Sequence, residues 1–163
     1  MRRLVALLVL LPGLAFGQTP AEKRAMLDKA LQSLKDAPST EVAAPLEQKV
    51  MQLWVDSGTA AVTLLMHRGL RELKAESYDD AIETFNDVIT LDATLAEAWH
   101  QRGLARYRSG DTAGAMNDFQ QTLKLEPREF ATWRTLADIA TLREDWAGAY
   151  AAWQKVMELD PKT

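Results

Sequence analysis

The chain has 163 residues, of which 47% are hydrophobic and 26% charged, as is ordinary for a single soluble globular domain. Lysine and arginine number 19 against 23 aspartates and glutamates, and this net charge of −4 does not favour nucleic-acid binding, which needs a clustered basic face. The absence of cysteine excludes disulfides, thiolate metal sites and cysteine nucleophiles.

Residues 1–17 have the pattern of a secretory signal peptide. Arg2 and Arg3 precede an unbroken apolar run over residues 4–11, which is followed by a Pro-Gly break and small residues before a predicted cut at Gln18. The apolar run is short for a membrane span, and retention of the segment as an uncleaved anchor is the alternative. We therefore expect secretion through the inner membrane, with a bacterial periplasm as the simplest destination.

Residues 18–58 are predicted to form a divergent helical hairpin that caps the rest of the domain. Its first helix opens with the capping-box pattern of Thr19 and Glu22. The second helix runs to about residue 56, with Pro45 expected in its first turn and Gly58 as a left-handed helix stop.

From residue 59 onward the sequence repeats itself every 34 residues, the length of one helix–turn–helix unit. This period predicts helix pairs near residues 60–74 and 78–91, 95–108 and 112–125, and 129–142 and 146–159. Small residues recur where the two helices of a pair cross, and an aromatic residue fills the space one turn further along. The recurring residues are Gly69, Gly103 and Ala137, then Ala81, Ala115 and Ala149, and then Phe85, Phe119 and Trp153.

This pattern resembles the tetratricopeptide repeat. Trp99, Gly103, Ala115, Phe119 and Pro127 match the aromatic, glycine, alanine, second aromatic and closing proline of that family's consensus. The resemblance covers about residues 61–161 and implies an all-α fold, a right-handed α-solenoid of antiparallel helix pairs. Its three repeats would span about residues 62–95, 96–129 and 130–163 within a repeat domain at 59–163. Leu65, Ala93 and Arg106 depart from the consensus at single positions.

The resemblance also implies a non-enzymatic protein–protein interaction module, an adaptor in the cell envelope that binds a peptide segment in its concave groove. The alternatives are a structural oligomer that associates through the ends of the solenoid and an accessory subunit of an envelope enzyme complex. The identity of the protein or peptide partner stays open, and we expect no cofactor and no nucleic acid. The residues expected on the concave face are Met66, His67, Leu70, Lys74, His100, Gln101, Leu104, Tyr107, Arg108, Arg134, Thr135 and Asp138.

Other candidate sites are weaker. His67 and His100 are the only histidines, and a metal site would need a further ligand beside them. Arg102, Arg106 and Arg108 are expected to form a solvated surface, with an acidic peptide contact as the alternative. One subclass of the family grips a C-terminal carboxylate with lysines and asparagines, and this clamp is absent. Its positions here hold Met66, Leu70, Gln101, Ala131 and Thr135.

The C-terminal repeat carries apolar residues with no following repeat in this sequence to cover them. Tyr150, Met157 and Leu159 are expected to be partly exposed. An exposed apolar patch of this kind indicates a partner or self-association, unless the sequence is part of a longer protein.

Overall fold

A computed structural model describes residues 18–163, which form eight helices and no strand. The predicted signal peptide, residues 1–17, lies outside the described residues. The repeat helices begin and end within one residue of their predicted bounds, and the all-α class is confirmed. The helices are α1 (Pro20–Lys35), α2 (Thr40–Val55), α3 (Ala60–Lys74), α4 (Tyr78–Leu91), α5 (Ala96–Ser109), α6 (Thr112–Leu125), α7 (Phe130–Leu142) and α8 (Trp146–Leu159).

The two helices of each of the first two repeats cross at a glycine, as the period predicts. A Cβ atom on Gly69 would lie 2.6 Å from Cε1 of Phe85, and one on Gly103 would lie 2.7 Å from Cε1 of Phe119. Both phenylalanine rings are fully buried. Because carbon atoms this close would overlap, any larger residue at either glycine forces the ring or the helix to move.

The turn inside each repeat places one residue in the left-handed region of backbone space. Gly110 has a φ of 97°, and Glu76 and Glu144 occupy the same position in the other two repeats with φ values of 61° and 58°. Glycine adopts this conformation without steric cost, whereas glutamate does not. Gly58, in contrast, does not have positive φ, so its predicted role as a left-handed stop is wrong. Position 58 needs a residue without a side chain for another reason, because a Cβ atom there would lie 2.5 Å from Cγ1 of Val62.

Two of the three clustered arginines, Arg102 and Arg106, bind a buried carboxylate inside the fold. This corrects the expectation that the cluster forms a solvated surface. Arg102 donates from Nη2 to Oδ1 of the buried Asp118 (2.7 Å) and from Nε to Oδ2 (2.9 Å). Arg106 donates from Nη1 to the same carboxylate at 2.9 Å. Arg106 therefore joins α5 to α6 through an ion pair, at a position where the family commonly has an aromatic residue. Arg108 alone of the three is exposed.

Helices α1 and α2 do not stack on α3 as an additional repeat would. Helix α2 contacts α3 where Val55 joins the core that holds Val62 and Met66, but it also packs against α5 and α7, and α1 packs against α8. The ring of Trp54 on α2 lies 5.3 Å from the ring of Phe130 on α7, and both side chains are buried. The hairpin therefore lies across the first helices of the second and third repeats.

The proline of α2 lies deeper in its helix than predicted. The helix begins at Thr40, so Pro45 is inside it and not in its first turn. Pro45 is exposed, whereas Ala43, Val50 and Trp54 are buried. The proline therefore sits away from the face that packs against the repeats, where it leaves that packing intact.

Candidate functional site

The hairpin buries part of the concave face that the sequence analysis assigned to a partner. Met66, His100 and Gln101 are 0%, 3% and 7% exposed, and the expectation that they contact a partner is wrong for this conformation. Met66 belongs to the core of the first repeat together with Val55 of α2. His100 and Gln101 lie on α5, which α2 covers.

A buried polar cluster lies at this junction, and sequence reasoning missed it. Oγ1 of Thr132 lies 2.7 Å from Nδ1 of His100, which is 3.7 Å from Oε2 of Glu129. Gln101 donates from Nε2 to Oε1 of Glu97 at 2.7 Å. Burial, and then the nearby charge of Glu129, raise the pKa of Glu97 well above its usual range. Oε2 of Glu129 accepts from the backbone N–H of Thr132 at 2.8 Å, whereas Oε1 of Glu129 is buried without a hydrogen-bond partner among residues 18–163. Apart from that oxygen, the named contacts of the cluster lie within the chain, so its main role is structural.

Arg134, expected to contact a partner, instead joins the hairpin to the last repeat. Its Nη2 atom lies 3.3 Å from Oε2 of Glu47 on α2 and 3.4 Å from Oδ2 of Asp160, which follows α8. Glu47 stands where the repeat frame requires a small residue, and this mismatch was the available sequence signal that the hairpin does not stack as a repeat.

The buried carboxyl group of Asp160 makes stability depend on pH. Burial, and next the neighbouring Glu47, raise the pKa of Asp160 from 3.8 to about 6, while Arg134 lowers it in part. Between these two values the native state binds a proton that the unfolded chain releases, so stability is expected to fall as pH rises through this window. Above about pH 6 the fall should level off, since the carboxyl group is then ionised in both states.

The substitution Asp160→Asn should remove this part of the pH dependence and leave the protein at neutral pH at least as stable as the parent. Urea unfolding across the window measures it, with Asp138→Asn as a matched control because Asp138 is exposed. A pH profile of Asp160→Asn that matches the parent's would contradict this account.

The other part of the predicted face remains open. Lys74, Arg108 and Asp138 are exposed, and Leu70, Leu104 and Tyr107 are half-buried. Arg108 borders an open cleft whose other lining residues are 76–80 and Ser109. The open part therefore combines apolar surface with charged groups at the C-terminal ends of α3 and α5, a composition suited to a protein segment.

The remaining predicted residues make local contacts. Nε2 of His67 lies 3.1 Å from Oδ1 of Asp56, and Oγ1 of Thr135 donates to the carbonyl oxygen of Ala131 at 2.9 Å. The two histidines thus have different partners, and within residues 18–163 no group of three or more His, Cys, Asp or Glu side chains could hold a metal ion. None of the eight helices is long and apolar enough to cross a membrane.

The last repeat exposes a row of large apolar side chains. Trp146, Tyr150 and Met157 on α8 are 66%, 67% and 50% exposed, so the expectation for Tyr150 and Met157 is confirmed. Leu159 is half-buried and so is partly exposed as expected, with its buried part packed against the core of the α1–α2 hairpin. The exposed row is therefore confined to one face of α8.

Comparison with known proteins identifies the repeat. Residues 96–129 match the family model described as Tetratricopeptide repeat. A TPR repeat-containing protein of Rhizobium etli is 24% identical over 135 residues, which are 83% of this chain and 66% of that protein. Superkiller complex protein 3 of Homo sapiens is 30% identical over 108 residues, 66% of this chain and 7% of that protein. The chain thus spans less than two thirds of the length of these relatives.

A solved structure shares the architecture. MamA 41-end from Desulfovibrio magneticus RS-1 superimposes with a TM-score of 0.57 at 19% identity, covering 90% of this chain and 98% of that one. At this identity the likeness concerns the fold. Together with the repeat period and the glycine–phenylalanine crossings, it shows that residues 96–129 are a tetratricopeptide repeat within an α-solenoid, an architecture that supports a role as a protein–protein interaction scaffold.

Proposed function

We propose that this chain is an exported, non-enzymatic scaffold of the bacterial cell envelope that holds a segment of a partner protein on its concave face. The observation that supports this proposal is the position of α2. An amphipathic helix of the chain itself lies across α5 and α7, the first helices of two repeats. The face that α2 occupies is therefore physically suited to a helical segment, the mode in which an apolar helix face enters a hydrophobic groove.

The contacts of α2 indicate which chemistry this face accepts. Trp54 supplies an aromatic anchor against Phe130, and Glu47 supplies a carboxylate for Arg134. The open part of the face offers the same combination, with Tyr107 half-buried and Lys74 and Arg108 exposed. The partner segment that fits it has apolar anchors and side chains of both charges, because Glu76, Asp79 and Asp80 line the cleft beside Arg108. It would lie beside α2.

The cellular location rests on the pattern of residues 1–17. A cut before Gln18 would leave the capping box of α1 intact, in which Thr19 and Glu22 bond to each other's backbone N–H groups. The mass of the protein isolated from an envelope fraction tests this part of the proposal. A chain beginning at Gln18 is expected, and a chain that keeps Met1 would favour the anchored alternative.

The binding part of the proposal predicts that reversing the two exposed charges will prevent capture. The double variant Lys74→Glu with Arg108→Glu should weaken binding of the native partner by about tenfold or more, since tenfold corresponds to only about 1.4 kcal/mol. Both side chains are exposed, so the melting temperature should be nearly unchanged. The matched control is Lys29→Glu with Lys124→Glu, which reverses two exposed lysines on α1 and α6.

A photoreactive amino acid can locate the bound segment directly. Placed at position 108, it should cross-link to the captured partner in the envelope, whereas at the exposed position 124 on α6 it should not. Equal capture by the two double variants, or equal cross-linking from both positions, would rule out the open part of the face as the binding site.

A further inference from the structure

The outer face of α3 is exposed at the positions by which the later repeats stack. In the second repeat, Leu95, Ala98 and Ala105 are buried in the core that α4 and α5 share. In the third repeat the equivalent residue Ile139 is buried in the core that holds Ala115 and Phe119 of α6. Its companions Glu129 and Thr132 are buried in the polar cluster with His100. One period earlier these positions hold Ala61, Leu64 and Arg71, all exposed, and Leu64 is 67% exposed.

This head face, defined as Ala61, Leu64, Arg68 and Arg71 of α3, is open because the hairpin lies elsewhere. An α1–α2 pair stacked as a repeat would cover it, but α2 packs against α5 and α7. Leu64 borders an open cleft between the start of α1 and α3, so α1 does not cover it either.

Repeats stack where the second helix of one repeat contacts the first helix of the next. The outer face of α8 carries the second-helix side of this contact. On α4, Tyr78, Ile82 and Ile89 are half-buried against the core that includes α5. Their equivalents on α6, Thr112, Met116 and Leu123, are half-buried too. Two periods after the α4 residues, Trp146, Tyr150 and Met157 are the exposed row on α8, and these three residues define the tail face.

We propose that the tail face of one copy of this chain stacks on the head face of a second copy and repeats the joint seen between α4 and α5. This interaction goes beyond the proposed function, since it uses the ends of the array and not the concave face. A second copy is the occupant that fits, because the two exposed surfaces are the two halves of one joint in the same 34-residue register. No other part of the described chain carries this pair of surfaces.

A polar contact within the chain supports the register. Across the α4–α5 joint, Arg102 donates from Nη1 to Oδ1 of Asn86 at 2.7 Å. One period before Arg102 stands Arg68 on the head face, and two periods after Asn86 stands Gln154 on α8. Both side chains are exposed, and the glutamine offers an amide oxygen of the same kind. The same arginine–amide pair can therefore form between two copies.

Such a joint is heterologous, because different surfaces of the two copies meet. Every copy that joins leaves one head face and one tail face free, so the assembly grows as an open chain and does not close at a dimer. The average mass is therefore expected to rise steadily with protein concentration.

The test blocks each half of the joint separately. Leu64→Lys places a charge in the head face and leaves the tail face intact. Tyr150→Lys places a charge in the tail face and leaves the head face intact. Each variant alone should be monomeric in sedimentation velocity, with association weakened by about tenfold or more. An equimolar mixture of the two should form a dimer and nothing larger, because only one productive joint remains. Leu91→Lys is the matched control. Leu91 is 61% exposed and belongs to neither the head face nor the tail face, so this substitution should leave the association of copies unchanged.

Several outcomes would overturn the proposal. The parent protein could stay monomeric at all concentrations, or the mixture of the two variants could fail to dimerise. A closed dimer that survives both substitutions would show that another surface is used. Circular dichroism verifies that the variants are folded, and Leu64→Ser with Tyr150→Ser provides a second pair if either lysine disturbs its helix.

Discussion

Replacing Phe119 with alanine is expected to lower the free energy of unfolding by about 3–5 kcal/mol, because it deletes a fully buried ring and leaves a cavity at the centre of the second repeat. Urea unfolding followed by circular dichroism measures the loss. Leu91→Ala is the control, since this large apolar side chain of α4 is 61% exposed. Its effect on the unfolding free energy should stay within about 0.5 kcal/mol. Equal losses for the two variants would contradict the described core.

The contact between Phe119 and Gly103 can be tested with a double-mutant cycle. Gly103→Ala alone should destabilise by about 1–3 kcal/mol, because its Cβ would lie 2.7 Å from the ring of Phe119. In the Phe119→Ala background that ring is gone, and the higher helix propensity of alanine, up to about 1 kcal/mol, should make the same substitution neutral or stabilising. An identical loss in both backgrounds would show that the crossing does not depend on this pair.

Trp54→Ala is expected to cause a comparable loss of stability, but in the α1–α2 hairpin. Trp54 is 3% exposed and packs against Phe130, so its removal should cost about 3–5 kcal/mol of the packing that joins α2 to α7. Val55, Ala131 and Leu159 also take part in apolar contacts between the hairpin and the repeats, but Trp54 is the largest of these side chains. We therefore expect the hairpin to detach while α3 to α6 stay folded. Hydrogen exchange should then show loss of protection in α1 and α2. Met51→Ala, at a 41% exposed position of α2, is the control.

Two results would change this view of the hairpin. Equal loss of protection in α3 to α6 would show that the hairpin is an integral part of the repeat core. Unchanged protection in α1 and α2 would show that the remaining contacts hold it without Trp54, among them the ion pairs of Arg134 with Glu47 and of Arg128 with Asp28. If the hairpin does detach, His100 and Gln101 become accessible. Partner capture by this variant then distinguishes a segment that competes with α2 from one that lies beside it.

The helices and their crossings could be predicted because they depend on local sequence that recurs. Capping residues, turn glycines and apolar spacing fix where each helix begins and ends. Three copies at one period then identify the small residues at which the helices cross. The charged residues were harder to place. Arg102 and Arg106 carry no sequence mark that distinguishes a solvated arginine from one bound to the buried Asp118.

The sequence by itself determined the solenoid, its three repeats and the residues at which the two helices of a repeat cross, since these follow from a periodic pattern and from steric rules that apply at short range. Only the tertiary structure decided where the out-of-frame hairpin lies. Its position depends on contacts between residues far apart in the chain, such as Trp54 with Phe130 and Glu47 with Arg134, which no periodicity encodes. That placement buries part of the concave face, and it leaves the stacking surface of α3 open to match the one exposed on α8.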